Sequence, residues 1–319
     1  MTTTTTTRVD VSAVAPPGVR TCAIDVIAPE ALPSGRRPVV AVCLPGGYSS
    51  RGYFDLDVPG AAGAYSMARH LAERGLVVVT VDPPGVGASD VPDDPFTLTP
   101  DTLGDVAAAI TATVLAGLTA GTLVPGLAPL ADPLPLGIGH SAGALLTVYE
   151  QARHRPFAAV ALLGFSGRGL ADFLDEDERA CADDPASTRA ALPRLVAARF
   201  GSARPSHPQQ TTSMFSGGPE PEAVKEAVRA TRSPLLALLG LTSMIPGASA
   251  PELATIDVPV FLGVGDGDIT GNPRAIPGQL PNATDVTLFV LAGSGHAHNI
   301  AAGRSELWDR LGVWVDGLA

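Results

Sequence analysis

A serine hydroxyl becomes a nucleophile at neutral pH when an imidazole takes its proton and a carboxylate fixes the tautomer of that imidazole. Three stretches of this chain supply such groups in one order. Ser141 stands in Gly139-His140-Ser141-Ala142-Gly143, Asp268 in Gly265-Asp266-Gly267-Asp268, and His296 in Gly293-Ser294-Gly295-His296. The first matches G-x-S-x-G, in which a sharp strand-to-helix turn exposes the serine and flanking glycines let the two elements approach. With 35 glycines in 319 residues that pattern alone has little specificity, and an ordinary glycine-rich turn would satisfy it. The three stretches together specify acyl transfer by a serine nucleophile.

Neighbouring residues offer competing chemistry. Asp266 could replace Asp268 as the carboxylate. His296 and His298 are spaced as a metal pair, but no Asp-x-His or clustered cysteine completes a site, so a place in solvent or in loop packing is the simpler reading of His298. Asp266-Gly267-Asp268 opens like a calcium loop, yet Pro277 stands where its glutamate belongs. Gly85-Val86-Gly87 resembles the start of a dinucleotide fingerprint, but Asp90 occupies the third glycine position. Neither a metal nor a cofactor is implied. His140 reads as a packing residue.

Positioning these residues requires strands that end where the chemistry begins. Runs rich in β-branched or aliphatic residues occur at 21–27, 38–44, 76–81, 134–139, 157–163, 258–264 and 285–291, the run at 76–81 being of the fully buried, parallel type. Helical patterns alternate with them at 60–74, 100–122, 144–152 and 305–315. This alternation predicts an α/β fold, a mostly parallel sheet with helices on both faces. Ser141, Asp268 and His296 then fall on loops at strand carboxyl ends, the edge where open parallel sheets bind ligands. Residues 168–250 show no β-type run and read as a helical cap between two parts of a core, 19–167 and 251–319. Residues 1–18, with six consecutive threonines, read as a flexible tail.

Composition narrows the partners. A formal net charge of -11 and the lack of a basic patch argue against nucleic acid and anionic membranes as partners. Cys22, Cys43 and Cys181 are too dispersed for a disulfide framework or a Cys-x-x-Cys site. The threonine run lacks the apolar core of a signal peptide and no uninterrupted apolar run is long enough to span a bilayer, from which cytoplasmic residence is expected. A homo-oligomer is compatible with the sequence, which does not specify one.

Several motifs together carry a resemblance to the α/β-hydrolase superfamily with a cap. They are the Pro45-Gly46-Gly47 loop after the run 38–44, Asp82-x-x-Gly85-x-Gly87-x-Ser89, the Gly-His-Ser-Ala-Gly elbow, Gly265-x-x-Asp268 and Gly293-x-Gly295-His296. The order Ser141, Asp268, His296 is the one that arrangement has. The resemblance implies Ser141 as nucleophile, His296 as general base and acid, and Asp268 as orienting carboxylate, preferred to Asp266 for its spacing. It also implies an oxyanion hole made by the N–H of Ala142 and one from the following loop, with Gly47 taken first and Gly46 or Tyr48 as substitutes. The His-Gly usual in that loop is replaced by Leu44-Pro45-Gly46-Gly47, which leaves open which N–H points at the oxyanion.

The expected reaction is hydrolysis of a carboxylic ester or lactone through an acyl-enzyme, without a cofactor. A generic carboxylesterase, a carbon–carbon bond hydrolase, an acyltransferase or a non-catalytic ligand-binding protein could be built on the same frame. Within the superfamily, Cys43-Leu-Pro-Gly-Gly-Tyr48 and Gly52-Tyr-Phe-Asp-Leu-Asp57 resemble the bacterial lactonases that open the macrocyclic mycotoxin zearalenone. A bulky hydrophobic lactone is the substrate this implies, with Tyr48, Tyr53, Met214 and Leu241 near it.

Overall fold

The computed structural model describes residues 2–206, 218 and 220–318. Eight strands form one sheet: β1 (Thr2–Asp10), β2 (Thr21–Pro29), β3 (Val39–Leu44), β4 (Val77–Val81), β5 (Leu134–His140), β6 (Ala159–Leu163), β7 (Val260–Gly265) and β8 (Val286–Leu291). Their spatial order is β1-β2-β4-β3-β5-β6-β7-β8. β1 and β2 pair antiparallel, β2 pairs antiparallel with β4, and every later neighbour is parallel.

The helices are α1 (Met67–Glu73), α2 (Pro100–Thr119), α3 (Ala142–His154), α4 (Glu176–Arg179), α5 (Pro185–Phe200), α6 (Glu222–Ala230), α7 (Ala237–Met244), α8 (Ala250–Leu253) and α9 (Arg304–Asp316). Alternation along β3 shows how they cover the sheet. Val40, Val42 and Leu44 join one core with side chains of α2 and α3, while Val39, Ala41 and Cys43 join another with those of α1 and α9. Both faces are buried, so these strands need no polar alternation.

Two expectations are corrected. The supposed tail is an edge strand, in register from Thr2 opposite Pro29 to Asp10 opposite Thr21. Low complexity concealed that threonine is β-branched, a residue whose restricted side chain favours the pleated backbone. The helix expected over 60–74 begins only at Met67, with the Ser66 hydroxyl accepting from the Arg69 N–H at its start. Gly60 and Gly63 before it take φ of 78° and 80°, left-handed values that break a helix into turns. α2 is long and apolar enough to cross a membrane by composition, but here Leu103, Val106, Ile110, Val114 and Leu118 belong to the core.

Between β6 and β7, residues 164–259 carry α4 to α8 and, among the described residues, no strand. This excursion has its own apolar core, containing Leu174, Leu192, Leu195, Val196, Leu238, Leu241 and Ile245.

One core residue makes stability depend on pH. Glu150 of α3 is fully buried; Thr111 Oγ1 donates to its Oε1 at 2.6 Å and Oε2 has no partner. Burial pushes its carboxyl up to about 8, outweighing that hydrogen bond. A carboxyl raised in the folded state costs nothing below its unfolded value near 4.5 and destabilises progressively as pH rises to about 8. Glu150→Gln removes the ionisation while keeping an acceptor for Thr111. Its stability relative to the parent should therefore improve by up to about 1.4 kcal/mol per pH unit across that window and level off above it. Thermal unfolding of both proteins from pH 5 to 9 checks this, and a pH-independent difference would contradict it.

Candidate active site

β5 delivers the chain into the elbow, where Ser141 has φ 54° and ψ −122°, a conformation that costs energy for a residue with a Cβ. Close packing holds it there. A Cβ on Gly139 would stand 2.4 Å from Ala144 Cα, and one on Gly143 would stand 2.1 Å from the Leu44 carbonyl oxygen. The Ser141 N–H donates to the Leu163 carbonyl of β6 at 2.8 Å, tying the elbow to the adjacent strand end.

From the loops after β7 and β8 come the partners. His296 Nε2 lies 2.8 Å from Ser141 Oγ, and His296 Nδ1 lies 2.9 Å from Asp268 Oδ1. The Asp268 side chain has no solvent exposure. Burial by itself would raise its carboxyl, but hydrogen bonds from His296 and His298 outweigh this and hold it well below the usual carboxylate range. Asp266 is exposed and accepts from the Ser294 N–H at 3.2 Å, which shapes the loop that carries His296. The structure thus brings Ser141, His296 and Asp268 together and leaves Asp266 outside the chain of contacts.

Gly46, Gly47, Tyr48 and Ala142 share the wall of a cavity beside the serine, together with Val86, Leu146, Leu235, Leu236 and Leu239. A Cβ on Gly46 would be 2.7 Å from His140 Nδ1 and 3.2 Å from Ser141 Cβ, so the loop reaches Ser141 only with glycine there. Ala142 is the first residue of α3, where a backbone N–H has no intrahelical acceptor. Tyr48 takes φ 60°, and its carbonyl accepts from the Ser233 N–H at 3.0 Å, while the Ser50 N–H donates to the Thr231 carbonyl at 2.7 Å. A segment of the excursion is therefore laced onto the loop beside Ser141. A second cavity lies on the histidine side, walled by Ser141, Phe165, Ser166, Leu170, Ser243, Ile269, Thr270 and His296.

Not every expected contact residue reaches these cavities. Tyr53 is buried with its ring centroid 4.7 Å from that of His140, under the elbow and in the wall of neither cavity. Leu241 is fully buried inside the excursion's own core, because the helical face that carries it turns inward. Met214 lies outside the described residues.

Three contributions were missed by reading the sequence. His298 Nε2 lies 2.9 Å from the second oxygen of Asp268. His140 is fully enclosed with Nε2 2.8 Å from the His296 carbonyl oxygen; burial first, then the neighbouring histidines, push its protonation well below the ordinary histidine range. Arg51 binds Asp82 and also, through Nε at 2.7 Å, Asp25. The Asp82-x-x-Gly-x-Gly stretch is a fastening: a Cβ on Gly87 would fall 2.1 Å from Asp82 Oδ2, which accepts from the Ala88 N–H at 2.9 Å. The His-x-His spacing, the Asp82 motif and the packing reading of His140 had marked these positions, but not the partners they meet.

Sequence comparison agrees with the geometry: the model of the alpha/beta hydrolase family matches residues 41–306. The chain belongs to that family. No curated protein matches it. Among solved structures, a thermophilic esterase from Thermogutta terrifontis superposes with a TM-score of 0.61 at 14% identity, over 98% of this chain and 99% of that one. A lipase in its open form gives 0.61 at 19% identity, over 99% of each chain. Bromoperoxidase from Bacillus anthracis gives 0.60 at 15% identity, over 98% of this chain and 100% of that one. At such identities the likeness concerns the fold. Among the described residues, no group of three or more His, Cys, Asp or Glu is placed to hold a metal ion.

Proposed function

We propose that this α/β hydrolase is a serine hydrolase of carboxylic esters or lactones that works through an acyl-enzyme. The reading rests on one observation, the unbroken hydrogen-bonded path from Ser141 Oγ through His296 to Asp268 at 2.8 and 2.9 Å. Ser141 Oγ bonds to the substrate carbonyl carbon while its proton passes to His296 Nε2. The oxygen becomes an oxyanion, held by the Ala142 N–H and one from the Gly46-Gly47-Tyr48 loop. On collapse, the carbon–oxygen bond to the alcohol breaks and His296 returns the proton to the leaving oxygen. In a lactone that alcohol remains attached to the acyl chain. Water, deprotonated by His296, then attacks the acyl carbon, and release of the acid restores the serine.

The substrate class we propose is a large hydrophobic lactone of the zearalenone kind. It is supported by the sequence resemblance and by the apolar side chains of Val86, Leu146, Leu235, Leu236 and Leu239 beside the candidate oxyanion loop. A preference of about tenfold corresponds to ~1.4 kcal/mol, which one or two extra buried methylenes supply. We therefore expect kcat/KM on zearalenone to exceed that on p-nitrophenyl acetate by about tenfold or more. Brisk turnover of the small ester with none of the lactone would reduce the reading to an esterase of short acyl groups.

A further inference from the structure

Asp268 is shared. Its Oδ1 faces His296 Nδ1 at 2.9 Å and accepts from the Thr270 N–H at 3.2 Å, while Oδ2 faces His298 Nε2 at 2.9 Å. His298 is two residues beyond His296, and a turn in which the His298 N–H donates to the His296 carbonyl at 3.1 Å brings both rings to one carboxylate. Its ring is 1% exposed and its Nδ1 has no hydrogen-bond partner. A doubly protonated ring would bury both a charge and an unmet Nδ1–H donor, whereas a neutral ring with the proton on Nε2 leaves only an unmet acceptor. Nε2 must carry a proton to bond an ionised carboxylate. The geometry therefore selects the neutral Nε2–H form.

Building on the serine-hydrolase reading, we propose that His298 is a positioning residue: as the neutral Nε2–H tautomer it holds Oδ2 of Asp268 and so fixes the carboxylate that orients His296. The titratable groups facing its ring are Asp268 on the loop after β7, His296 on its own loop, and His140 of the elbow, whose ring centroid is 5.5 Å away. Tyr53 stands behind His140, with its centroid 4.7 Å from that ring. Asp268 is the anion among them. Burial lowers the basicity of His298 more than Asp268 raises it, which keeps the ring neutral.

Two consequences separate positioning from mere packing. Without the His298 donor the carboxylate is freer to rotate, so turnover falls although His296 and Ser141 remain. Its negative charge is also less dispersed and acts more strongly on His296, which holds its proton to higher pH. The acid limb of kcat/KM, which reports the free base, then moves upward.

The test compares the parent with His298→Phe, similar in size but without a donor, and with His298→Gln, which restores an N–H. We expect Phe to lower kcat about tenfold, to change KM little and to move the acid limb up by about one pH unit, and Gln to recover most of both losses. A folded Phe variant with the parental acid limb and parental kcat would overturn the proposal. A readout that needs no variant is ¹⁵N NMR of the histidine-labelled parent: the proton should reside on His298 Nε2 between pH 6 and 8, and an Nδ1–H or doubly protonated ring would overturn it too. Labelling the same parent with a fluorophosphonate keeps the two ideas apart. Failure to label would remove the serine-hydrolase reading, whereas labelling with a parental acid limb and parental kcat in the Phe variant would remove only the role of His298.

Discussion

Ser141→Ala and His296→Ala are each expected to lower kcat by a factor of about 10⁴ or more, and the double variant to lose little beyond either single one. The reason is geometric. Ser141 Oγ and His296 Nε2 are 2.8 Å apart and form one proton-transfer unit, so removing either partner disables both. Neither change should unfold the chain. Alanine relieves none of the packing that holds the elbow, since that packing is made by Gly139, Gly143 and the Ser141 backbone N–H. Steady-state kinetics on the best ester or lactone, with circular dichroism as control for folding, measures the effect. Near-parental turnover by Ser141→Ala would mean that the nucleophile is elsewhere.

The second large effect concerns the carboxylate. Asp268→Asn should lower kcat by about 10⁴-fold, the scale found when a triad carboxylate in a serine protease is amidated. An amide can present a donor to His296 Nδ1, which favours the wrong tautomer and removes the negative charge that stabilises the imidazolium. Here the loss is compounded, because two imidazoles face this carboxylate at 2.9 Å. Asp266→Asn should cost less than tenfold, since its side chain is exposed and accepts only from backbone N–H groups such as that of Ser294. The reverse ranking would transfer the orienting role to Asp266.

Much of this arrangement was legible in the chain because the relevant signals are local. The runs at 76–81 and 258–264 are apolar on both faces, as strands covered by helices must be, and each marks a strand of the observed sheet. The Gly-His-Ser-Ala-Gly turn is legible for a related reason: its glycines are required within a few residues of one another by contacts as short as 2.1 Å. The threonine strand was obscured because composition, not periodicity, dominates that stretch, and its partner lies beyond an intervening turn.

What the sequence withheld depends on distant contacts. Asp25, Arg51 and Asp82 come from three separate elements, so their association exists only after the sheet has formed. Tyr53 lies close to the Gly46-Gly47-Tyr48 loop in sequence, yet its side chain turns beneath His140, which no spacing rule discloses. Leu241 belongs to a helix whose apolar residues could have faced either the core or a ligand, and it faces the excursion's own core. The second histidine on Asp268 was visible as a His-x-His pair, but its partner is 30 residues away.

The most direct test of the central claim is to treat the native protein with a fluorophosphonate and identify the modified residue by peptide mass spectrometry. The account predicts one stoichiometric phosphonylation, on Ser141, slowed while a saturating ester or lactone substrate is present and slowed by orders of magnitude in His296→Ala. An unmodified Ser141 in folded protein, or modification of another serine with equal efficiency, would contradict it.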